Sequence, residues 1–327
     1  MIENSKGNRS HQKPLHTLVR RIDVTLKALG HVFDVLVPVR DIPRHPVFGV
    51  LARNAPEGTP VFGHCGGSEG ANPESSMAAY DRLVKIGAHG GESDCQQTSD
   101  GVLFNIHDDT VQLPDGVVRL VRELSSENVP ARYPTIESLV KWAVSNKKVL
   151  IIDPRKSNVT RLIAILKQEV AWDYVCLGAF SGRQLKKARK EAERAGRNLL
   201  IGMTPNQIII AYFMSFLNYM PRFAEVAHVP FRLCMLHRTL SKIPAQLGRE
   251  HFVKVARRFG IEIWYWIPNS DADIKEVVRQ GAGIITDRPL RALSSRAECL
   301  KVDTRAQAVA NIPQVSRPSP DPPQSAD

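Results

Sequence analysis

Residues Val61–Val111 read VFGHCGGSEGANPESSMAAYDRLVKIGAHGGESDCQQTSDGVLFNIHDDTV and decide the fold. A short apolar run, Val61–His64, is followed by a helix-length stretch, Ser76–Ile86, and by a second apolar run, Ala88–Asp94. Short buried strands that alternate with amphipathic helices favour a parallel α/β sheet. The stretch therefore predicts a strand, a helix and a second, parallel strand.

The second apolar run is followed by a turn instead of a helix. The segment from Cys95 to Gly101 is too short for a crossover helix, and it ends in the turn sequence Ser99-Asp100-Gly101. The next apolar run, Val102–Ile106, is therefore predicted to fold back antiparallel beside the second strand.

The alternation of strand and helix continues along the chain. Further strands are predicted at Lys148–Asp153, Tyr174–Ala179, Asn198–Met203, Glu225–Val229, Glu262–Trp266 and Gly283–Thr286. Helices are predicted at Ile136–Ser145, Val159–Glu169, Arg183–Ala195, Arg249–Phe259 and Ala272–Gln280. Eight strand–helix units over about 230 residues favour a (β/α)8 TIM barrel, which typically has about 250. The insertion after the second strand, Gln112–Pro134, is short. A doubly wound open sheet is the alternative, weakened because no GxGxxG follows the first strand.

The sequence outside the barrel has a different character at each end. Residues 1–14 are polar and predicted to be disordered, residues 15–58 to form an amphipathic helix and a linker, residues 59–295 the barrel, and residues 296–327 a disordered Pro-rich tail. The helix at 15–36 either packs against the barrel, the preferred interpretation, or lies on a membrane surface. The longest apolar run, near 208–217, is about half of the ~20 residues that a membrane-spanning helix needs.

The amino-acid composition indicates which classes of ligand and partner the protein favours. Lys and Arg outnumber Asp and Glu by 44 to 33, a net charge of +11, which favours anionic ligands. The basic run Lys186–Lys190 is interpreted as a solvated helix face, and no zinc-finger or RNP-type motif predicts specific nucleic-acid binding. Five cysteines with no zinc-type spacing are typical of a reduced, cytoplasmic protein, with peripheral membrane association as the added option.

Polar side chains stand where the predicted strands end. They are His64, Glu92, Asp94, His107, Asp153, Asn269 and Asp287. The carboxyl ends of barrel strands are where active sites are built, so this distribution predicts a site there.

The acids among these residues predict a metal site. Glu92 and Asp94 are two apart, so their side chains point to the same side of a strand, and Asp153 can close on them. Three ionised carboxylates need a cation between them, and oxygen ligands suit Mg²⁺ or Ca²⁺. The alternative is that Glu92 or Asp94 only pairs with a basic residue. His64 and His107 flank the acids and are candidates for acid–base catalysis.

The motifs occur in a recognisable order: His64-Cys65-Gly66-Gly67, Pro73-Glu74-Ser75-Ser76, Gly87-Ala88, Glu92-Ser93-Asp94, Thr98-Ser99-Asp100-Gly101, His107-Asp108-Asp109, Asp153-Pro154-Arg155, Trp266-Ile267-Pro268-Asn269 and Thr286-Asp287-Arg288-Pro289. Over about residues 61–292 this order resembles the glycerophosphodiester phosphodiesterase family.

The resemblance implies a metal-dependent phosphodiesterase on a (β/α)8 barrel that cleaves glycerophosphodiesters into an alcohol and glycerol 3-phosphate. By position, the divalent Mg²⁺ or Ca²⁺ ion would be held by Glu92, Asp94 and Asp153, and His64 and His107 would be the acid–base pair. Arg155 would replace the family's phosphate-binding lysine. Trp264 and Trp266 face the same way on a strand, and if that is the barrel interior Trp266 lies near the substrate, although core packing is the preferred interpretation of both.

Two departures from the family pattern bear on substrate and activity. Cys65 stands where the family has an arginine, and a thiol cannot grip a phosphate bidentately. Asp153 is shorter than the family's glutamate, a feature shared with spider-toxin-like phospholipase D proteins, so a lysophospholipid is an alternative substrate. A binding or regulatory barrel that has lost turnover is the third interpretation. Cys65 is not predicted to be a nucleophile.

Overall fold

The computed structural model describes residues 45–310, apart from 56–57, 70–71, 156, 179–180, 222 and 232–244. The strands are β1 (Val61–Gly63), β2 (Gly90–Gln97), β3 (Leu103–Asn105), β4 (Thr110–Gln112), β5 (Val118–Leu120), β6 (Val149–Asp153), β7 (Val175–Leu177), β8 (Leu200–Ile201), β9 (Val226–Pro230), β10 (Glu262–Trp266) and β11 (Gly283–Thr286). The helices are α1 (Pro46–Asn54), α2 (Met77–Lys85), α3 (Ile136–Asn146), α4 (Val159–Gln168), α5 (Gly182–Arg194), α6 (Pro205–Ser215), α7 (Ala245–Arg258), α8 (Asp271–Gln280) and α9 (Pro289–Ala310).

Eight parallel strands form the central sheet in the order β8-β7-β6-β2-β1-β11-β10-β9. A parallel bridge between Gly202 and Val226 brings the two ends of this sheet together. The predicted (β/α)8 barrel is thus confirmed, and the open sheet is excluded. Predicted and observed strand limits differ by up to three residues.

The turn predicted after the second strand is present. Strand β3 pairs antiparallel with β2, with Cys95 opposite Asn105. The insertion that follows carries the β4–β5 hairpin and a small apolar core of its own, formed by Phe104, Ile106, Val111, Val121, Leu124 and Val129.

The barrel interior is packed with side chains from alternate strand positions. Phe62, Ile151, Val226, Trp264 and Ile285 are all fully buried there. Interior space is limited, and a Cβ on Gly283 would lie 2.4 Å from the Trp264 ring. Trp264 is therefore a core residue, as expected for an interior position well below the strand end.

Helix α1 closes the amino end of the barrel, within a region predicted to be a linker. Val47, Phe48 and Leu51 are buried against the interior residues. The Asn54 Nδ2 amide donates a hydrogen bond to the Lys147 carbonyl at 2.9 Å, just before β6. Pro46 occupies the first turn, where a missing N–H costs nothing, so a proline at this position is compatible with the start of a helix as well as with a linker.

Two further differences concern helices. Helix α6 was not predicted, although Thr204 and Gln207 form a complete capping box before it. Its apolar residues are not confined to one face, so no helical period marks it. Helix α9 continues to Ala310, so the disordered tail predicted from residue 296 is wrong as far as 310. The predicted disorder at 1–14, the helix at 15–36 and the rest of the tail lie outside the described residues.

None of the described helices is long and apolar enough to cross a membrane.

Candidate active site

A tight turn after β1 carries the first functional residues into the barrel mouth. His64, Cys65 and Gly66 form one turn of 3-10 helix, in which Cys65 has φ 49° and Gly66 has φ 84°. A Cβ on Gly66 would lie 2.9 Å from the Ala79 Cβ, so α2 packs too closely for any other residue. A left-handed conformation is unfavourable for cysteine, and such strain is concentrated at functional sites.

Strand β2 supplies two buried carboxylates to the same place. Glu92 is 3% exposed and Asp94 is fully buried. In the ladder to β6, Asp94 is the register partner of Asp153, which puts the two acids side by side on neighbouring strands. The Tyr80 hydroxyl donates a hydrogen bond to the Glu92 carbonyl at 2.6 Å and so fixes the strand against α2.

His64 is oriented by two polar residues, Asn269 and Asp287, which follow the last two strands. Its Nδ1 atom lies 2.6 Å from Asp287 Oδ1. Asn269 Nδ2 donates to the other Asp287 oxygen at 2.5 Å, and Asn269 Oδ1 accepts a 3.1 Å bond from the Asp287 N–H. The sequence placed Asn269 and Asp287 at strand ends without a role. The structure makes them the groups that orient His64.

The same contacts set the charge of His64. Burial alone would lower its pKa, but the hydrogen bond from His64 to Asp287 and the charges of Glu92 and Asp94 raise that pKa from 6.5 to about 9. The bond to His64 in turn lowers the pKa of Asp287. Without a bound cation, His64 is therefore protonated at neutral pH and can donate a proton from Nε2.

Cys65 lies between the histidine and the acids. Its Sγ atom is 3.7 Å from His64 Nε2 and 3.6 Å from Asp94 Oδ2. Its backbone N–H donates to Glu92 Oε2 at 3.2 Å. Burial and the charges of Glu92 and Asp94 raise the pKa of this thiol far above its ordinary value, so it is protonated without a cation and is not poised as a nucleophile.

Arg155 supplies a positive charge at the opposite side of Asp94. Its Nε and Nη2 atoms both lie 2.6 Å from Asp94 Oδ1. Its backbone N–H donates to Asp153 Oδ1 at 3.1 Å, from a left-handed conformation with φ 40°. Asp94 thus pairs with a basic residue, as one interpretation of the sequence expected, but its second oxygen faces Cys65.

His107 and Trp266 complete the mouth of the barrel. The His107 side chain is about half exposed, with Nδ1 2.8 Å from Asp108 Oδ1 and Nε2 4.0 Å from Asp94 Oδ2. Its ring centroid is 6.2 Å from that of His64. The Trp266 ring packs edge-on against His64, with centroids 5.7 Å apart. Both residues therefore border the site that the sequence assigned to them.

The donor set fits a divalent cation. His64, Cys65, Glu92 and Asp94 offer ligand atoms that all lie within 4.8 Å of one another, and this group contains two of the three predicted acids. Asp153, next to Asp94, is outside it. Burial and repulsion by Asp94 raise the pKa of Glu92, and burial and Asp94 raise the pKa of Asp153 to about 7. Raised carboxylate pKa values mean that burial and neighbouring acids disfavour the ionised forms, which a bound cation would stabilise.

The fold and the site together define a class, that of the phosphoric diester hydrolases built on a (β/α)8 barrel. The chain belongs to the Glycerophosphoryl diester phosphodiesterase family, whose family model matches residues 66–291.

Similar proteins agree with this membership. The chain is 25% identical over 259 residues to the glycerophosphodiester phosphodiesterase of Caldanaerobacter subterraneus subsp. tengcongensis, which covers 71% of this chain and 95% of that relative. It is 21% identical over 283 residues to human lysophospholipase D GDPD3, covering 76% of this chain and 85% of that relative. The crystal structure of glycerophosphodiester phosphodiesterase from Agrobacterium tumefaciens superposes with a TM-score of 0.58 at 19% identity, over 73% of this chain and 99% of that one.

The Asp287→Asn variant tests the charge of His64. The pKa of His64 in the folded protein, about 9, lies above its ordinary 6.5. Protonated His64 therefore stabilises the fold fully below pH 6.5, and this contribution is lost as pH rises through 9.

Loss of the Asp287 charge in Asp287→Asn should lower the titration midpoint of His64, measured by imidazole ¹⁵N NMR on metal-free protein. The control is Asp81→Asn, on the exposed face of α2, which should leave the midpoint unchanged. An unshifted midpoint in Asp287→Asn would refute the pairing.

Proposed function

We propose that this protein is a metal-dependent phosphodiesterase that hydrolyses glycerophosphodiesters to an alcohol and glycerol 3-phosphate. The observation that carries the proposal is the pair of buried His64 and partly exposed Asp287, 2.6 Å apart, with His64 Nε2 3.9 Å from the Glu92 carboxylate. A charged proton donor beside a cation site is what cleavage of a phosphodiester requires, because the leaving alkoxide needs a proton.

The acids Glu92, Asp94 and Asp153 would hold the divalent ion, for which Mg²⁺ and Ca²⁺ are the candidates by their preference for oxygen ligands. When bound, the ion would neutralise charge that develops on the phosphoryl oxygens. Membership of the family supports this assignment, and the compact group of His64, Cys65, Glu92 and Asp94 supports it for two of the three acids.

The two histidines divide the proton transfers. His64 is buried and protonated, so it acts as the general acid that gives its Nε2 proton to the leaving alcohol oxygen. His107 is more exposed, so it can act as the general base that takes a proton from the attacking oxygen. Asp287 holds the His64 ring in place and stabilises its charged form.

Arg155 brings a positive charge to the edge of the site, beside Asp94. Its side chain is 25% exposed and reaches Asp94 from the β6 end. A guanidinium there stabilises the anionic transition state and compensates in part for the absent arginine at position 65.

Lysophospholipids are the second candidate substrates. Ile267 and Leu290 follow β10 and β11 at the barrel mouth, and their side chains are 41% and 46% exposed. An apolar rim of this kind suits an acyl chain. The similarity to a relative named lysophospholipase D points the same way. The predicted cytoplasmic location and a membrane contact through residues 15–36 stay predictions.

A hydrolysis assay tests the proposal. The full chain is incubated with glycerophosphocholine, glycerophosphoethanolamine and lysophosphatidylcholine, each with Mg²⁺, with Ca²⁺ and with a chelator. We expect metal-dependent release of glycerol 3-phosphate from the glycerophosphodiesters. Release of lysophosphatidic acid instead would favour the second candidate. No chelator-sensitive product from any substrate would leave the interpretation of a binding barrel.

The Arg155→Met variant is expected to lower kcat/KM by about 10²-fold, the scale for the loss of one group that stabilises a transition-state anion. Arg155→Lys should recover part of the loss, because it keeps the charge but not the fork of donors. Arg161→Met, on the exposed face of α4, is the matched control. Steady-state kinetics on one glycerophosphodiester measure this difference. A wild-type kcat/KM in Arg155→Met would show that Arg155 does not stabilise the transition state.

A further inference from the structure

The Cys65 thiol has surroundings that a packing role does not explain. The residue is 1% exposed, yet its Sγ atom contacts polar groups, at 3.6 Å from Asp94 Oδ2 and 3.7 Å from His64 Nε2. A buried cysteine that only fills space is surrounded by apolar atoms. Cys176, in the barrel interior, also has its Sγ atom near an imidazole, 3.8 Å from His228 Nε2, so what sets Cys65 apart is the carboxylate oxygen of Asp94 beside its sulfur.

Asp94 presents one oxygen to this thiol, and Glu92 presents one to the backbone N–H of the same residue. Asp94 Oδ1 is bound by Arg155 at 2.6 Å, whereas Asp94 Oδ2 faces the sulfur. Glu92 Oε2 accepts the Cys65 backbone N–H at 3.2 Å, so the backbone of the cysteine also anchors the glutamate. Sulfur and carboxylate oxygens therefore converge on one point.

We propose that Cys65, in the place given above to Asp153, is the third ligand of the divalent ion beside Glu92 and Asp94, and that the site therefore selects Zn²⁺ over the Mg²⁺ or Ca²⁺ that an all-oxygen set would favour. The inference rests on the proposed function, since it deepens the assignment of the same metal site. Thiolates bind borderline-soft ions such as Zn²⁺ strongly, whereas Mg²⁺ and Ca²⁺ prefer oxygen.

The geometry matches a catalytic zinc site in the number of protein ligands. Such sites have three protein ligands and keep a further position for water or substrate. Cys65, Glu92 and Asp94 supply three, and His64 Nε2 borders the same point while its Nδ1 is bound to Asp287. His64 thus stays next to the ion with its role in proton transfer intact.

The backbone of the turn supports this role. Cys65 adopts φ 49° and ψ 31°, a conformation that disfavours side chains larger than hydrogen, and it is followed by Gly66 and Gly67 with φ of 84° and 82°. This turn aims the sulfur at the acids. Cysteine and histidine are adjacent here, a spacing that no common zinc motif uses, so sequence patterns do not reveal the site.

Metal binding to the purified, reduced and chelator-stripped full chain tests the inference directly. Cd²⁺ serves as the spectroscopic probe, because its bond to a thiolate absorbs in the ultraviolet. Calorimetry with Zn²⁺ and with Mg²⁺ measures selectivity. We expect a thiolate band in the wild type that is lost in Cys65→Ser, and a loss of Zn²⁺ affinity of at least about 10- to 100-fold, the scale seen even for groups that only support a ligand. Mg²⁺ affinity should change much less.

Cys299→Ser is the matched control, since Cys299 is a partly exposed thiol on α9, outside the site. It should keep both the band and the Zn²⁺ affinity. X-ray absorption on the zinc-loaded wild type needs no variant to fold, and a sulfur neighbour at about 2.3 Å is expected. Only nitrogen and oxygen neighbours, or an unchanged preference for Zn²⁺ in Cys65→Ser, would overturn the inference.

The two proposals fail in different ways. Hydrolysis that depends on Mg²⁺, with no thiolate band for Cd²⁺, would leave the proposed function standing and exclude Cys65 as a ligand. A Cys65-dependent band without hydrolysis of any phosphodiester would leave Cys65 standing as a metal ligand and exclude the proposed function.

Discussion

Replacement of His64 by glutamine is expected to lower kcat by about 10²- to 10⁴-fold, the usual contribution of a general acid. Glutamine fills a similar volume and can still hydrogen-bond to Asp287, but it cannot release a proton to the leaving oxygen. The loss should be largest for substrates with poor leaving groups and small for an activated ester such as a p-nitrophenyl phosphodiester. Steady-state kinetics on the two substrate types measure this difference.

The control for this prediction is a partly buried histidine outside the site whose ring makes a hydrogen bond of comparable length. His251 Nε2 lies 2.8 Å from the Ser215 carbonyl, outside the site, so His251→Gln should cost stability at most and leave kcat near that of the wild type. If His64→Gln loses the same factor on activated and natural substrates, the residue positions groups and does not protonate the leaving oxygen.

Replacement of Glu92 by glutamine is expected to abolish metal-dependent turnover and, at the same time, to raise the melting temperature of the metal-free protein at alkaline pH. Burial and Asp94 raise the pKa of Glu92, so its ionised form opposes folding. For an acid with a raised pKa, this cost grows as pH rises above the ordinary value of 4.5. Glutamine removes the charge and can still accept the Cys65 N–H.

Each 1 kcal/mol of relieved repulsion should raise the melting temperature by about 2–4 °C in a domain of this size. Thermal unfolding in a chelating buffer at several pH values measures the effect. The matched control is Glu276→Gln, which should lower the melting temperature. Glu276 accepts hydrogen bonds of 2.7 and 2.9 Å from Arg249, and the glutamine loses the charge of that pair. A lower melting temperature in metal-free Glu92→Gln at alkaline pH would contradict the assignment of Glu92 as a strained metal ligand.

Much of the fold could be predicted from the sequence because the barrel repeats one local pattern. Most of the buried strands are short apolar runs and most helices have one apolar stripe, so period and spacing locate them. Helix α6 was missed because its apolar residues face both the core and solvent, with Ile210 49% and Phe213 46% exposed. Helix α1 was missed because prolines are compatible both with a linker and with a helix start.

The site could be predicted only as a set of positions. Polar residues at strand ends marked where His64, Glu92 and Asp94 would lie, but not with which protein group each would pair. The partner of His64 is Asp287, 223 residues away in the sequence, and the partner of Arg155 is Asp94, 61 residues away. Such pairs arise from barrel closure, which local patterns do not encode.

Cys65 is a second residue whose surroundings could not be predicted from the sequence. Compared with the family pattern, it counts as a lost arginine. In the folded chain it is a sulfur beside two carboxylates, which is a change of ligand as well as a loss of charge.

The hydrogen bonds between neighbouring barrel strands are distributed unevenly around the sheet. Strand β8 has two residues and meets β9 through the single Gly202–Val226 bridge, whereas β2 and β6 pair along a full ladder. Local opening costs least where few hydrogen bonds and buried contacts are broken, so the β8–β9 seam should separate at a lower free energy than the rest of the sheet. The strand order places this seam across the barrel from β1 and β2. The mouth can therefore widen to exchange substrate and product while the half that carries His64, Glu92 and Asp94 keeps its geometry.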